Sequence, residues 1–160
     1  LDIKGAGGTW DSGISTTGGL IKNITVTGSF RGIFINHNST NCSKVILEKV
    51  KTTGTVYTIS CDQGTGNGLE ATDCEFYGWT SYANTLGDAK FVNCKFGEGS
   101  GYAYCRPYAP TVFVGCAFEA GFTVDPVAAV TFENCTFGGV PVTAANVAEL
   151  VTSTTKVTVK

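Results

Sequence analysis

The chain has 160 residues, with 11 Lys and Arg against 13 Asp and Glu for a net charge of −2, and it contains 21 Gly, 7 Cys and no Met. Charges this sparse and balanced exclude an electrostatic nucleic-acid binder, which needs a basic surface against phosphate, and no apolar run reaches the ~20 residues that cross a bilayer as a helix. The length suits one domain with a sizeable core, while a start at Leu1-Asp-Ile-Lys4 is not a signal peptide and, with Met absent, points to an excised segment of a longer protein.

Residues 1–18 are expected to close one end. From residue 19 onward a six-residue phrase recurs: Ile21-Lys-Asn-Ile-Thr-Val26, Leu47-Glu-Lys-Val-Lys-Thr52, Ala71-Thr-Asp-Cys-Glu-Phe76, Phe91-Val-Asn-Cys-Lys-Phe96, Phe113-Val-Gly-Cys-Ala-Phe118 and Phe132-Glu-Asn-Cys-Thr-Phe137. Its fourth residue (Ile24, Val50, Cys74, Cys94, Cys116, Cys135) recurs at spacings of 26, 24, 20, 22 and 19 residues, the length of one turn of a solenoid. Period-two alternation before and after the phrase's middle predicts two short strands that meet at a corner. The residue before the fourth position is Asn23, Lys49, Asp73, Asn93, Gly115 or Asn134, and all but Lys49 adopt a left-handed bend cheaply.

A third strand is predicted in each unit, over 32–35, 56–59, 81–83, 101–104, 122–124 and 140–142. Three strands per turn, each too short to bury a face alone, must stack on their counterparts about 4.8 Å away. Equivalent side chains then form interior columns, one of Cys74, Cys94, Cys116 and Cys135 and one of Phe76, Phe96, Phe118 and Phe137. The segment 143–160 is expected to close the other end, with a helical turn in Ala144–Leu150 and a last strand in Lys156–Val159.

Four cysteines in one apolar column read as small hydrophobes rather than as disulfides or a metal site, and no CxxC pair supports zinc. Cys42, Cys61 and Cys105 lie outside the column, which leaves a Cys42–Cys61 bridge open as a pairing. Buried thiols suit folding in a reducing cytoplasm. Asn-x-Ser/Thr matches at Asn23, Asn38, Asn41 and Asn134 are no more than a Thr-rich chain yields by chance.

The corner, the stacked Phe and Cys and the three-strand turns resemble the right-handed parallel β-helix of the pectin-lyase-like superfamily, most of all the β-helix domains of viral and phage tailspikes, fibres and surface proteins. The resemblance covers roughly residues 19–142 and implies an all-β, single-stranded right-handed solenoid of about six turns, forming one domain over 1–160. Pectate lyases of this superfamily use a calcium-binding carboxylate cluster with an Arg or Lys, and polygalacturonases use clustered aspartates. Neither motif can be placed here: no Asp-Asp pair exists, and Arg31 and Arg106 are far apart in the repeat. No cofactor or metal is expected.

Function in a solenoid is expected beside the loops that vary in length. The only His, His37, with Asp62 one turn on, is the candidate acid–base pair, and Asp62, Asp88 and Asp125 lie in successive loops. Rings on the third strand give the more concentrated signal: Phe34, Tyr57, Tyr82, Tyr102 and Tyr104, with Trp79 just upstream and Tyr108 just downstream. If Ala83, Ala103 and Cys105 face inward, then Tyr82, Tyr102 and Tyr104 face outward and, with Arg106 and Tyr108, make the candidate ligand site. The resulting expectation is a structural and recognition module of a virion or extracellular surface protein that contacts polysaccharide, assembled as a homotrimer or with other domains of its parent. The alternatives are a polysaccharide lyase or glycoside hydrolase on the same scaffold, and a spacer with no ligand.

Overall fold

The computed structural model describes residues 1–37, 43–64, 68–82 and 87–160, without the side chains of His37, residues 62–64 and Tyr82. It is an all-β parallel solenoid of about five turns. The first face stacks Leu69–Thr72, Ala89–Val92, Thr111–Val114, Val130–Glu133 and Val157–Val159, and the second face stacks Glu75–Tyr77, Lys95–Gly97, Ala117–Phe118 and Thr136–Phe137. The long strands Gly19–Thr27 and Val45–Thr53 run through the corner and belong to both. A separate third face stacks Ser12–Thr16, Arg31–His37, Tyr57–Gly64, Trp79–Tyr82, Tyr104–Pro107 and Thr123–Val124.

The corner is made by one residue per turn. Asn23, Lys49, Asp73, Asn93, Gly115 and Asn134 all have φ between 52° and 60°, so the bend falls at the same place in every unit. Lys49 accepts this conformation despite its side chain, because the strands on either side are pinned in register with their neighbours. At Gly115 the absent side chain also leaves room: a Cβ there would lie 2.8 Å from Asn93 Oδ1.

Inside the bend the columns form, except that Phe137, expected in the interior column, is only partly buried against the core. Phe91, Phe113 and Phe132 stack with centroids 5.2 and 5.4 Å apart, and Phe76, Phe96 and Phe118 with centroids 5.6 and 5.0 Å apart. The two columns meet edge to face, as in Phe96 against Phe113 at 5.5 Å and 87°. Such contacts add about 0.5–1.5 kcal/mol each beyond the buried area. The four column thiols are buried. Each Sγ–H reaches back to a carbonyl of the preceding turn: Cys74 to Leu47 at 3.6 Å, Cys94 to Ala71 at 3.5 Å, Cys116 to Phe91 at 3.5 Å and Cys135 to Phe113 at 3.4 Å. Cys42 lies outside the described residues, and with it the Cys42–Cys61 pairing; Cys61 and Cys105 are buried on the third face.

Two predicted strands differ from the structure. Residues 101–104 are not a full strand. Gly99 and Tyr102 pair across a tight turn in which Ser100 and Gly101 have positive φ, and the third-face strand begins only at Tyr104. Val140–Pro141 does not stack in parallel but folds back on Thr136–Phe137, after Gly138 and Gly139 at φ 57° and 83° reverse the chain. The tail then covers the end of the core with a 3₁₀ turn at Val147–Glu149, buried Leu150 and Val151, and the strand Val157–Val159.

Candidate functional site on the third face

Rings line the corner at which the second face passes into the third. Trp10 meets Phe30 at 4.8 Å, Phe30 meets Tyr57 at 5.6 Å, Tyr57 stacks on Trp79 at 5.0 Å and 25°, and Trp79 stacks on Tyr102 at 5.7 Å and 28°. The row therefore runs parallel to the solenoid axis with roughly one ring per turn. Its ends are open, Trp10 being 56% and Tyr102 40% exposed, while the three rings between are half-buried.

The outward turn of these rings has a local cause. Thr58 and Ile59 are both buried, a break in alternation made by a bulge between Tyr57 and Ile59, and this leaves Tyr57 outside while Ile59 and Cys61 point in. Thr80 points inward and its hydroxyl lies 2.9 Å from that of Thr58, so the preceding Trp79 faces outward. Near the first ring, the Arg31 guanidinium lies 5.0 Å from the Trp10 centroid and 4.3 Å from that of Phe34.

At the other end of the row a polar cluster holds Tyr104, which meets Trp79 edge-on at 5.4 Å and 88°. Its hydroxyl donates to Asp125 Oδ2 at 2.6 Å, the Thr152 hydroxyl donates to Asp125 Oδ1 at 2.6 Å, and Arg106 Nε lies 3.2 Å from Asp125 Oδ2. The Arg106 guanidinium also lies 5.2 Å from the Tyr108 ring centroid. The Thr152 and Tyr104 hydroxyls hold the Asp125 carboxyl below its ordinary range, and burial, then Asp125, pushes the Tyr104 phenol up. Both groups move away from neutrality, so they make a fixed clamp between ionised carboxylate and protonated phenol rather than an acid–base pair.

Of the sequence-predicted residues, the structure brings together Tyr102, Tyr104, Arg106 and Tyr108 around Trp79 and Asp125. Tyr82 is in register with Pro107, but its side chain lies outside the described residues. So do those of His37 and Asp62; the backbone sets His37 beside Gly64 across a register shift. Asp125 is engaged by Tyr104, Thr152 and Arg106, and Asp88 is exposed. Among the described residues no group of three or more His, Cys, Asp or Glu is placed to hold a metal ion.

Sequence reasoning missed Trp10 and Phe30, which precede their strands, and the role of Thr152, which arrives from the tail. The one signal for the rings was their place just upstream of Ser12–Thr16 and Arg31–His37, as Trp79 stands at the start of its own strand. A mainly apolar groove of about 350 Å³ lies elsewhere, on the second face between Lys95, Phe118, Glu119, Thr136 and Gly138. The chain matches no protein-family model, no curated protein and no solved structure.

Proposed function

We propose that this protein is a recognition module on a right-handed, pectin-lyase-like β-helix, part of a viral or phage surface spike or fibre, and that it binds an extended polysaccharide along the ring row of its third face. The observation that carries this reading is the regular row Trp10, Phe30, Tyr57, Trp79 and Tyr102, with neighbouring centroids 4.8 to 5.7 Å apart. Apolar faces of successive sugar rings stack on such surfaces, and a linear polymer laid along the axis meets several at once. Polar contact comes from the Asp125 cluster, where Arg106 remains 41% exposed beside Tyr108. Unpaired thiols at Cys74, Cys94, Cys116 and Cys135 favour folding in a reducing cytoplasm before display on a virion or extracellular surface.

The test is a glycan array read together with tryptophan fluorescence and a reducing-end assay. Saturable binding that quenches Trp79 and is lost in Trp79→Ala, without new reducing ends, supports the module. Released ends move the reading to a polysaccharide lyase or glycoside hydrolase, and no binding to any glycan class leaves the spacer.

A further inference from the structure

Charge is divided unevenly among the three faces. Every Lys and Arg of the chain is among the described residues, and no Lys falls in a strand of the third face. Lys51 and Lys95 converge on Glu75 of the second face at 2.9 and 3.7 Å, Lys44 pairs with Glu70 at 2.6 Å, Lys160 pairs with Glu133 at 3.0 Å, and Lys156 donates to the Val127 carbonyl. The strands of the third face hold Arg31 and Arg106 alone of the Lys and Arg.

Along the ring row these two guanidiniums stand against three carboxylates. Arg31 lies 5.0 Å from the Trp10 centroid and 4.3 Å from that of Phe34, while Asp11, next in the chain to Trp10, takes the Phe30 N–H on Oδ1 at 2.5 Å and the Gly7 N–H on Oδ2 at 3.1 Å. At the other end Arg106 Nε is already 3.2 Å from Asp125 Oδ2. Glu98, exposed, adds a third carboxylate beside Tyr102 by accepting the Gly101 N–H at 2.7 Å. Carboxylates therefore flank both ends of the row, and the charge of Arg106 is answered before any ligand arrives.

We propose that, on the reading of the row as the glycan site, the polymer it selects is uncharged, a chain of neutral sugar rings without carboxylate, sulfate or phosphate groups. An acidic polysaccharide laid along the axis carries an anion on each sugar or each few sugars past Asp11, Glu98 and Asp125. Two like charges about 8 Å apart in water cost roughly a factor of two in binding, and the cost accumulates along the row. A neutral ring meets none of this. It stacks on the aromatic surface, its hydroxyls accept hydrogen bonds from Arg106, and they donate to the Glu98 and Asp125 carboxylates.

Fluorescence titration of the whole chain tests this with soluble glucan, xylan, mannan and galactan, each beside its own carboxymethylated derivative, at about 20 mM and about 500 mM NaCl. The expected result is that the neutral parent which binds does so about tenfold more tightly than its carboxymethylated form at low salt, from the two- to threefold cost at each of three carboxylates. The gap is expected to narrow at high salt, while the affinity for the neutral parent stays the same. Glu98→Gln, which keeps an acceptor for the Gly101 N–H, should narrow the low-salt gap about twofold and Glu98→Lys about fourfold. The Gly99 and Tyr102 backbone bonds, at 2.9 and 2.8 Å, hold the turn in both variants.

A carboxymethylated polymer bound as tightly as its parent, a preference that salt leaves unchanged, or a gap indifferent to both Glu98 variants overturns the neutral-polymer proposal and leaves the recognition module standing. No binding by any parent or derivative removes the module, and the proposal with it.

Discussion

The first two faces and the third are built on the same stacking but differ in how strictly they repeat. On the first two faces every turn bends at the same position, at Asn23, Lys49, Asp73, Asn93, Gly115 and Asn134, and sets its side chains in the same columns, with Cys at Cys74, Cys94, Cys116 and Cys135 and stacked Phe beside them. On the third, bulges shift the register near Phe34 and Tyr57, a tight turn delays the Tyr104 strand, and the outer surface carries large rings and a polar cluster. Strict repetition is what a core of short strands needs, because each column is continuous only if every turn contributes. The outer surface of the third face is under no such demand, and chemistry can vary there without opening the core.

This contrast is broken most directly by truncating rings on both sides of it. Phe96→Ala, at a fully buried position stacked on Phe76 and Phe118, is expected to cost about 3–5 kcal/mol in urea unfolding. An unchanged midpoint would mean that the interior columns do not carry the fold. The corners come next: Asn93→Val and Asn134→Val should each cost about 1–2 kcal/mol, while Gly at either place is tolerated, because a β-branched side chain opposes φ near 52° and Gly does not. Equal stability of the Val and Gly variants would remove the corner as a constraint.

The thiol column sharpens the comparison within the core. Cys94→Ala should cost about 1 kcal/mol or less, since a small group is lost from a column whose rigidity comes from the rings. The neighbouring Cys116 thiol and burial push Cys94 up to about 12, and Cys135 and burial do the same for Cys116. The sign follows: their contribution is intact below the ordinary thiol value of 9.0 and is lost as pH rises from there toward about 12. Unfolding midpoints measured on either side of pH 9, with thiol labelling of the folded chain, check both statements; labelling as fast as in urea would refute them. The smallest effect on stability is expected outside. Tyr102→Ala, at 40% exposure, should shift stability by no more than about 0.5 kcal/mol yet weaken glycan binding at least tenfold. If it unfolds the domain instead, the row is structural.

How much of this was legible in the sequence follows the same division. The corner and the columns were readable because the repeat states them six times, and repetition fixes register, while the tail's turn and last strand were readable from the local pattern of Ala144–Leu150 and Lys156–Val159. The tight turn at Ser100 and Gly101 and the fold-back at Gly138 and Gly139 were not, since each occurs once and depends on glycines that also suit a plain loop. At the candidate site, Tyr102, Tyr104, Arg106 and Tyr108 were found together because they are close in the chain. Trp10, Phe30 and Thr152 were missed because only stacking and the returning tail bring them near. The bulge at Thr58 reverses alternation at one residue, which no pattern of apolar positions reports.

The parallel stacking also has a consequence for how the chain is made. Successive corner positions are 19 to 26 residues apart, so a turn can dock on its predecessor once that much chain has left the ribosome, and no contact waits for a distant segment. Folding can then keep pace with synthesis from one end to the other. At each stage, however, the nascent chain presents a fresh unpaired edge able to capture a neighbouring nascent copy, until the fold-back of Val140–Pro141 on Thr136–Phe137 and the pairing of Val157–Val159 with Val130–Phe132 cover the last of these turns in the segment 140–160. Translation that stalls ahead of this segment leaves a folded but adhesive product.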